Sequence, residues 1–142
     1  MAAGAWNIYN SAKRYIVNGT IDLDTTAIKA YLLKSTSNAS TYTLSTVAAL
    51  TNPVSAGGYK GPKALTSMSV KQGASAKQSK WSAAALVWTA SGANIGSVMY
   101  AVLGVSGGKV ICWSKLSTAA FNVTTSNTLT LTMNSGGIFT IS

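Results

Sequence analysis

The chain has 142 residues, eleven Lys and Arg against two carboxylates, no histidine, and a net charge of +9; 47% of its residues are hydrophobic and only 9% are charged. One domain of this length buries roughly 70% of the surface its unfolded chain exposes, so a true core is expected and disorder of the whole chain is not. The missing histidine removes the commonest general base, the usual serine and cysteine triads and the favoured nitrogen ligand for zinc. Cys112 is the only cysteine, which rules out an intrachain disulfide framework. The residues at 1–6 lack the basic and apolar regions of a signal peptide, so the sequons at Asn18, Asn38 and Asn122 read as chance matches.

In chain order, Trp6, Tyr9, Ala12 and Ile16 form a helical stripe over 6–17, with Lys13 and Arg14 near its end and Asn18-Gly19 as a left-handed stop. At Gly19 the period changes to two. Ile21 and Leu23 alternate with Asp22 and Asp24 in a strand or extended turn. Ile28, Ala30 and Leu32 then alternate with Lys29, Tyr31 and Leu33 in a longer strand. A polar loop over 35–43 leads to a single helical turn that Ser45 caps and Asn52-Pro53 ends. Residues 56–62 read as irregular, exposed backbone.

The second half reads as strands at 64–70, 84–89, 98–105, 110–116, 120–124, 128–133 and 138–141, with Gly136-Gly137 reversing the chain before the last. Thr128-Leu129-Thr130-Leu131-Thr132-Met133 alternates most clearly. Residues 98–105 are apolar on both faces, so that strand is either central and covered twice, or half-buried by another subunit. Residues 82–108 carry no charge and could span a bilayer by length, but Thr89-Ala90-Ser91-Gly92-Ala93-Asn94 interrupts them as a loop, and no membrane association is expected. The fold class is mainly β: an antiparallel β-sandwich or jelly roll forming one domain over 1–142, with a short N-terminal α-helix in 1–18.

No constellation for catalysis emerges, and the chain reads as a non-enzyme without cofactor or metal. Asp22 and Asp24 at i, i+2 on a strand would lie about 7 Å apart but point the same way, so they read as acceptors for turn backbone or as partners of Lys or Arg. Lys60, Lys63, Lys71, Lys77 and Lys80 concentrate in 59–81 with Tyr59 and Trp81 and no acid. That stretch suits a solvated loop, a protein partner or, least, single-stranded nucleic acid. Cys112, inside Val110-Ile111-Cys112-Trp113, reads as a buried, inert thiol.

Several segments together resemble a family of small tailed-bacteriophage virion proteins that includes capsid cement or decoration proteins. They are Tyr15-Ile16-Val17-Asn18, Gly19-Thr20-Ile21-Asp22-Leu23-Asp24 and Ile28-Lys29-Ala30-Tyr31-Leu32-Leu33. Gly58-Tyr59, Lys63-Ala64-Leu65, Val87-Trp88-Thr89-Ala90 and Tyr100-Ala101-Val102-Leu103 follow in order. The chain departs from the family pattern in its shortage of acids, most of all over 35–55. The resemblance implies a jelly-roll-like sandwich, made in the bacterial host cytoplasm, that binds the outer surface of an icosahedral head as a dimer or trimer and clamps neighbouring subunits of the major capsid protein. Candidate capsid contacts are Trp6, Tyr9, Lys13 and Arg14, with Lys60, Lys63, Lys71, Lys77 and Lys80. The alternatives are a tail, fibre or head-surface module that adheres to host glycans, and a basic domain for single-stranded nucleic acid.

Overall fold

The computed structural model describes residues 4–55, 57–73, 77–134 and 137–141. The expected reversal at Gly136-Gly137 and the residues at 1–3 and 56 therefore lie wholly or partly outside the described residues. Among those described, the chain is mainly β: strands β1 (Trp6–Ile8), β2 (Ile28–Lys34), β3 (Lys63–Ala64), β4 (Ser69–Gln72), β5 (Ser79–Ser82), β6 (Leu86–Thr89), β7 (Ile95–Val105), β8 (Val110–Lys115), β9 (Phe121–Val123), β10 (Thr128–Leu131) and β11 (Phe139–Ile141), with one helix, α1 (Asn10–Val17). All pairings between these strands are antiparallel. The largest sheet runs β1-β8-β7-β2-β3, with β9 also on β7; β10-β6 and β11-β5-β4 form two smaller sheets.

β7 organises the large sheet. Tyr100 to Gly104 pair with β8, while Ile95 and Val98 pair with β9, so two strands follow one another along one side of β7 and β2 runs along the other. The change of partner falls between Val98 and Tyr100, just after a bulge within the β9 pairing between Ile95 and Val98, where Ser97 has φ +59° and its N–H donates to Asn122 Oδ1 at 2.8 Å. A bulge frees one backbone residue from the ladder, and the Asn122 side chain takes up the donor.

Both faces of β7 are covered by the chain itself. On one face Ala101 and Leu103 join Ile28, Ala30, Leu32, Trp81, Trp88, Leu129 and Leu131 in the main core between the layers. On the other, Val102 packs with Leu33, Val110, Tyr9, Ala12 and Ala39 beneath the loop after β2. This answers the two-sided apolar pattern of 98–105 without a second subunit. Two of the indoles in the main core also hold irregular backbone: Trp81 Nε1 donates to Leu23 O at 3.0 Å and Trp88 Nε1 to Gly61 O at 3.1 Å.

Several sequence expectations need correction. The helix starts at Asn10 rather than residue 6, because Trp6–Ile8 pair as a strand with Cys112 to Ser114. The expected turn capped by Ser45 is a 3-10 turn, Val47–Ala49, preceded by Thr46 with no side-chain cap. Residues 64–70 are not one strand but the ends of β3 and β4, and Ser79–Ser82, placed by sequence in a basic loop, forms the middle strand of the β11-β5-β4 sheet. The stop after α1 is as expected, with Gly19 at φ +79°, a conformation open to glycine at little cost. No helix among the described residues is long and apolar enough to cross a membrane.

Candidate binding surface

The stretch from Asn18 to Thr26 is a turn, not a strand, and its two carboxylates shape it. Asp22 Oδ1 accepts Asp24 N–H at 2.9 Å, and Asp22 O accepts the N–H groups of Thr25 and Thr26 at 3.2 and 2.8 Å. Asp24 Oδ1 reaches across to accept Val70 N–H on β4 at 2.9 Å. Both acids thus bond backbone amides, as the sequence reading allowed, and the turn ties α1 to the β11-β5-β4 sheet.

On the outer face of that sheet the register sets Thr140 opposite Lys80 and Lys80 opposite Lys71. Lys71 is exposed and Lys80 half-buried, since β5 is flanked by a strand on each side. Like charges directly opposed on neighbouring strands destabilise a sheet. From α1, exposed Lys13 shares a recess of about 250 Å³ with Thr140, Ile8, Ile16, Val17 and Ile141. Val17 is 87% exposed and Ile141 47%. Beside it, Ile16, Ile21, Ile141 and Val70 border a second recess, and Val70 is 42% exposed. Successive strand residues point to opposite faces, so Lys71, Lys80 and Thr140 lie on the outer face, while Val70 and Ile141 lie on the face of Trp81 and Phe139, at its open margin beside α1.

The nine sequence candidates divide. Trp6, 8% exposed, and Tyr9, fully buried, are core residues: Trp6 lies on β1, and the Tyr9 hydroxyl donates to Ala39 O, while burial pushes its phenol well above the ordinary range. Neither presents an exposed ring to a partner. Lys71 and Lys80 are opposed across β4 and β5, and Lys13 lines the recess beside Val17 and Ile141. Lys77 is exposed in the β4–β5 connection, Lys60 is exposed in irregular backbone, and Lys63 is exposed on β3, an edge of the large sheet.

Arg14 is engaged within the chain. Its guanidinium carbon lies 5.1 Å from the centre of the Tyr15 ring, and Nη2 donates to the Tyr15 hydroxyl at 3.4 Å. That hydrogen bond holds the Tyr15 phenol below its usual value, helped by Lys109, whose Nζ lies 4.5 Å from the same ring centre. Sequence reasoning did not single out Lys109, Val17, Ile141 or Val70. Val17 closes a helical stripe and Ile141 a strand, positions that read as core until their neighbours are known.

No protein-family model, curated protein or solved structure matches this chain. Its functional reading therefore rests on its own residues. Elsewhere Tyr42, 45% exposed, meets the Trp113 ring edge-on at 5.9 Å, and Tyr100 meets the same ring at 6.2 Å. Burial also pushes the Cys112 thiol far up, which fits an inert core residue. Among the described residues no group of three or more Cys, Asp or Glu side chains is placed to hold a metal ion.

Proposed function

We propose that this protein is a non-enzymatic capsid cement protein that binds the outer surface of a bacteriophage head and bridges subunits of the major capsid protein. The observation that carries the reading is the opposed pair Lys71 and Lys80 on an exposed sheet face, and a separate recess beside α1 holds the open side chains of Val17 and Ile141 with Lys13. Two lysines held against one another are relieved by an acidic partner, and exposed aliphatic groups supply area that salt does not screen. The ordered resemblance from Tyr15 to Leu103 supplies the choice of a phage head as that partner. A protein that binds only the assembled shell opposes disassembly by mass action. A jelly-roll arrangement and a dimer or trimer on the shell belong to this proposal.

The test is co-sedimentation of the purified protein with mature heads stripped of it, after nuclease treatment and across a salt series. Saturable binding at a fixed ratio to capsid protein is expected, weakening with salt to a residual apolar component. Failure to bind at any salt overturns the reading. The exposed edge of Tyr42 over Trp113 favours adhesion to glycans as a second reading, since carbohydrate sites use such rings. Retention of the isolated protein on host glycans, lost in Tyr42→Ala, would support that reading instead.

A further inference from the structure

β1 and β11 are edge strands of different sheets and face one another across a groove of about 440 Å³, lined by Trp6 and Ile8 on one side and by Ile138, Phe139 and Thr140 on the other. One hydrogen bond fixes which way the backbone of β1 points. Tyr9 N–H donates to Ile111 O at 3.0 Å, extending the register in which Ile8 faces Cys112 and Asn7 faces Trp113. Residues that exchange hydrogen bonds alternate along an antiparallel ladder. Tyr9 and Asn7 therefore bond to β8, and the N–H and C=O groups of Trp6 and Ile8 turn away from it, to the groove side. At Ile8 and Thr140 the groove continues into the recess walled by Ile16, Val17, Ile141 and Lys13.

We infer that this groove receives an extended, acidic segment of a partner chain, which adds to β1 as a strand and sets an aliphatic side chain into the recess beside Val17 and Ile141. Strand addition supplies backbone partners for Trp6 and Ile8, and alternate side chains supply specificity. Charge decides the occupant. A second copy would bring +9 against +9, whereas carboxylates on the segment meet Lys13, the charged residue that lines the recess into which the groove continues. The inference stands on the groove itself, whether the segment belongs to a capsid subunit or to another protein.

The probe is a fluorescent synthetic peptide alternating Glu with Val and Leu, compared by anisotropy with its lysine counterpart on the full chain. The acidic peptide is expected to saturate the protein and to bind at least about tenfold tighter than the basic one, a difference of ~1.4 kcal/mol. Bound peptide should slow hydrogen exchange at the Trp6 and Ile8 amides. Replacing the exposed pair, Val17→Ser with Ile141→Ser, should weaken binding on the order of tenfold, while Val87→Ser on β6, also solvent-facing, should leave it unchanged. Equal binding of both peptides, no binding, or binding indifferent to the paired replacement overturns the inference. So does concentration-dependent self-association that the paired replacement abolishes, which would assign the groove to a second copy.

Discussion

Replacing Lys71 with glutamate should make the protein more stable and, on the proposed cement function, less able to bind a phage head. Lys71 and Lys80 are direct cross-strand partners on the outer face of the β11-β5-β4 sheet. Directly opposed side chains have Cβ atoms about 5 Å apart, inside the ~8 Å screening length at physiological salt. Removing the repulsion and installing an attraction each contribute roughly 0.2–1 kcal/mol. Because Lys71 is exposed, the lower half of the summed range applies, and Lys71→Glu should stabilise by about 0.5–1 kcal/mol. At an unfolding entropy of about 2.1 cal/mol/K per residue, that raises Tm by roughly 2–3 °C. Calorimetry of the single variants Lys71→Glu and Lys80→Glu and of the double variant closes a cycle. The double variant opposes two glutamates and should return to near wild-type stability. Co-sedimentation with heads should fall in all three, including the double variant whose stability is restored. Lowered stability in Lys71→Glu, or full shell binding by the double variant, would refute the argument that an acidic partner relieves this pair.

Trp81→Phe should cost about 2 kcal/mol, since it gives up volume in the main core and the bond from Nε1 to Leu23 O, whereas Trp113→Phe, whose Nε1 is buried without a partner among the described residues, should cost at least ~1 kcal/mol less. Urea unfolding of the two variants gives the comparison, and equal costs would contradict it. Burial pushes the Tyr59 phenol up to about 12, and the Tyr9 phenol and Cys112 thiol are raised as well. The unfolded chain therefore releases these protons first. The stability they contribute is complete below about pH 9 and is lost as pH rises through 10 toward 12, with a slope up to ~1.4 kcal/mol per pH unit for each group. Urea midpoints across that window should fall, less steeply in Tyr59→Phe, and a flat profile in the native chain would count against the burial argument. The Cys112 thiol should resist an aromatic disulfide reagent in native buffer and react at once in denaturing urea; fast native labelling would place it at the surface.

The large sheet was legible where burial follows strict alternation. Ile28, Ala30 and Leu32 read as one face of a strand from sequence alone, and β2 buries them. Leu129 and Leu131 on β10 behave the same way. What escaped was set by partners distant in sequence. The spacing of Trp6, Tyr9, Ala12 and Ile16 fits a helix, yet Trp6–Ile8 are drawn into a strand by residues 112–114. Tyr9 looked like a surface aromatic because its hydroxyl partner, Ala39 O, lies thirty residues away. Ser79-Lys80-Trp81-Ser82 has too short an apolar pattern to announce a strand, and becomes one between Ser69–Gln72 and Phe139–Ile141. The opposed pair Lys71 and Lys80 and the recess of Lys13, Val17 and Ile141 have no local signature, since each joins residues from separate segments. Only the basic excess foretold that such a surface would be cationic.

The pairing of β2 with β7 also sets a schedule for synthesis. Lys34 meets Val98 and Ile28 meets Val105, so β2 closes onto β7 only after the whole excursion between them has been made. At 5–20 residues per second, translating that excursion takes roughly 3–13 s, and closing a loop of that length carries a chain-entropy cost of about 3.5 kcal/mol from its length dependence alone. Throughout that interval Ala30, Leu32 and Leu33 stand in a strand without its β7 partner on a nascent chain, although β3 and residues 52–54 can already meet its other edge. Lys29 and Lys34 bracket them, and charges in those positions discourage a waiting strand from pairing with its counterpart on a neighbouring ribosome. Two lysines that do little in the finished sheet would thus guard the chain before the sheet exists.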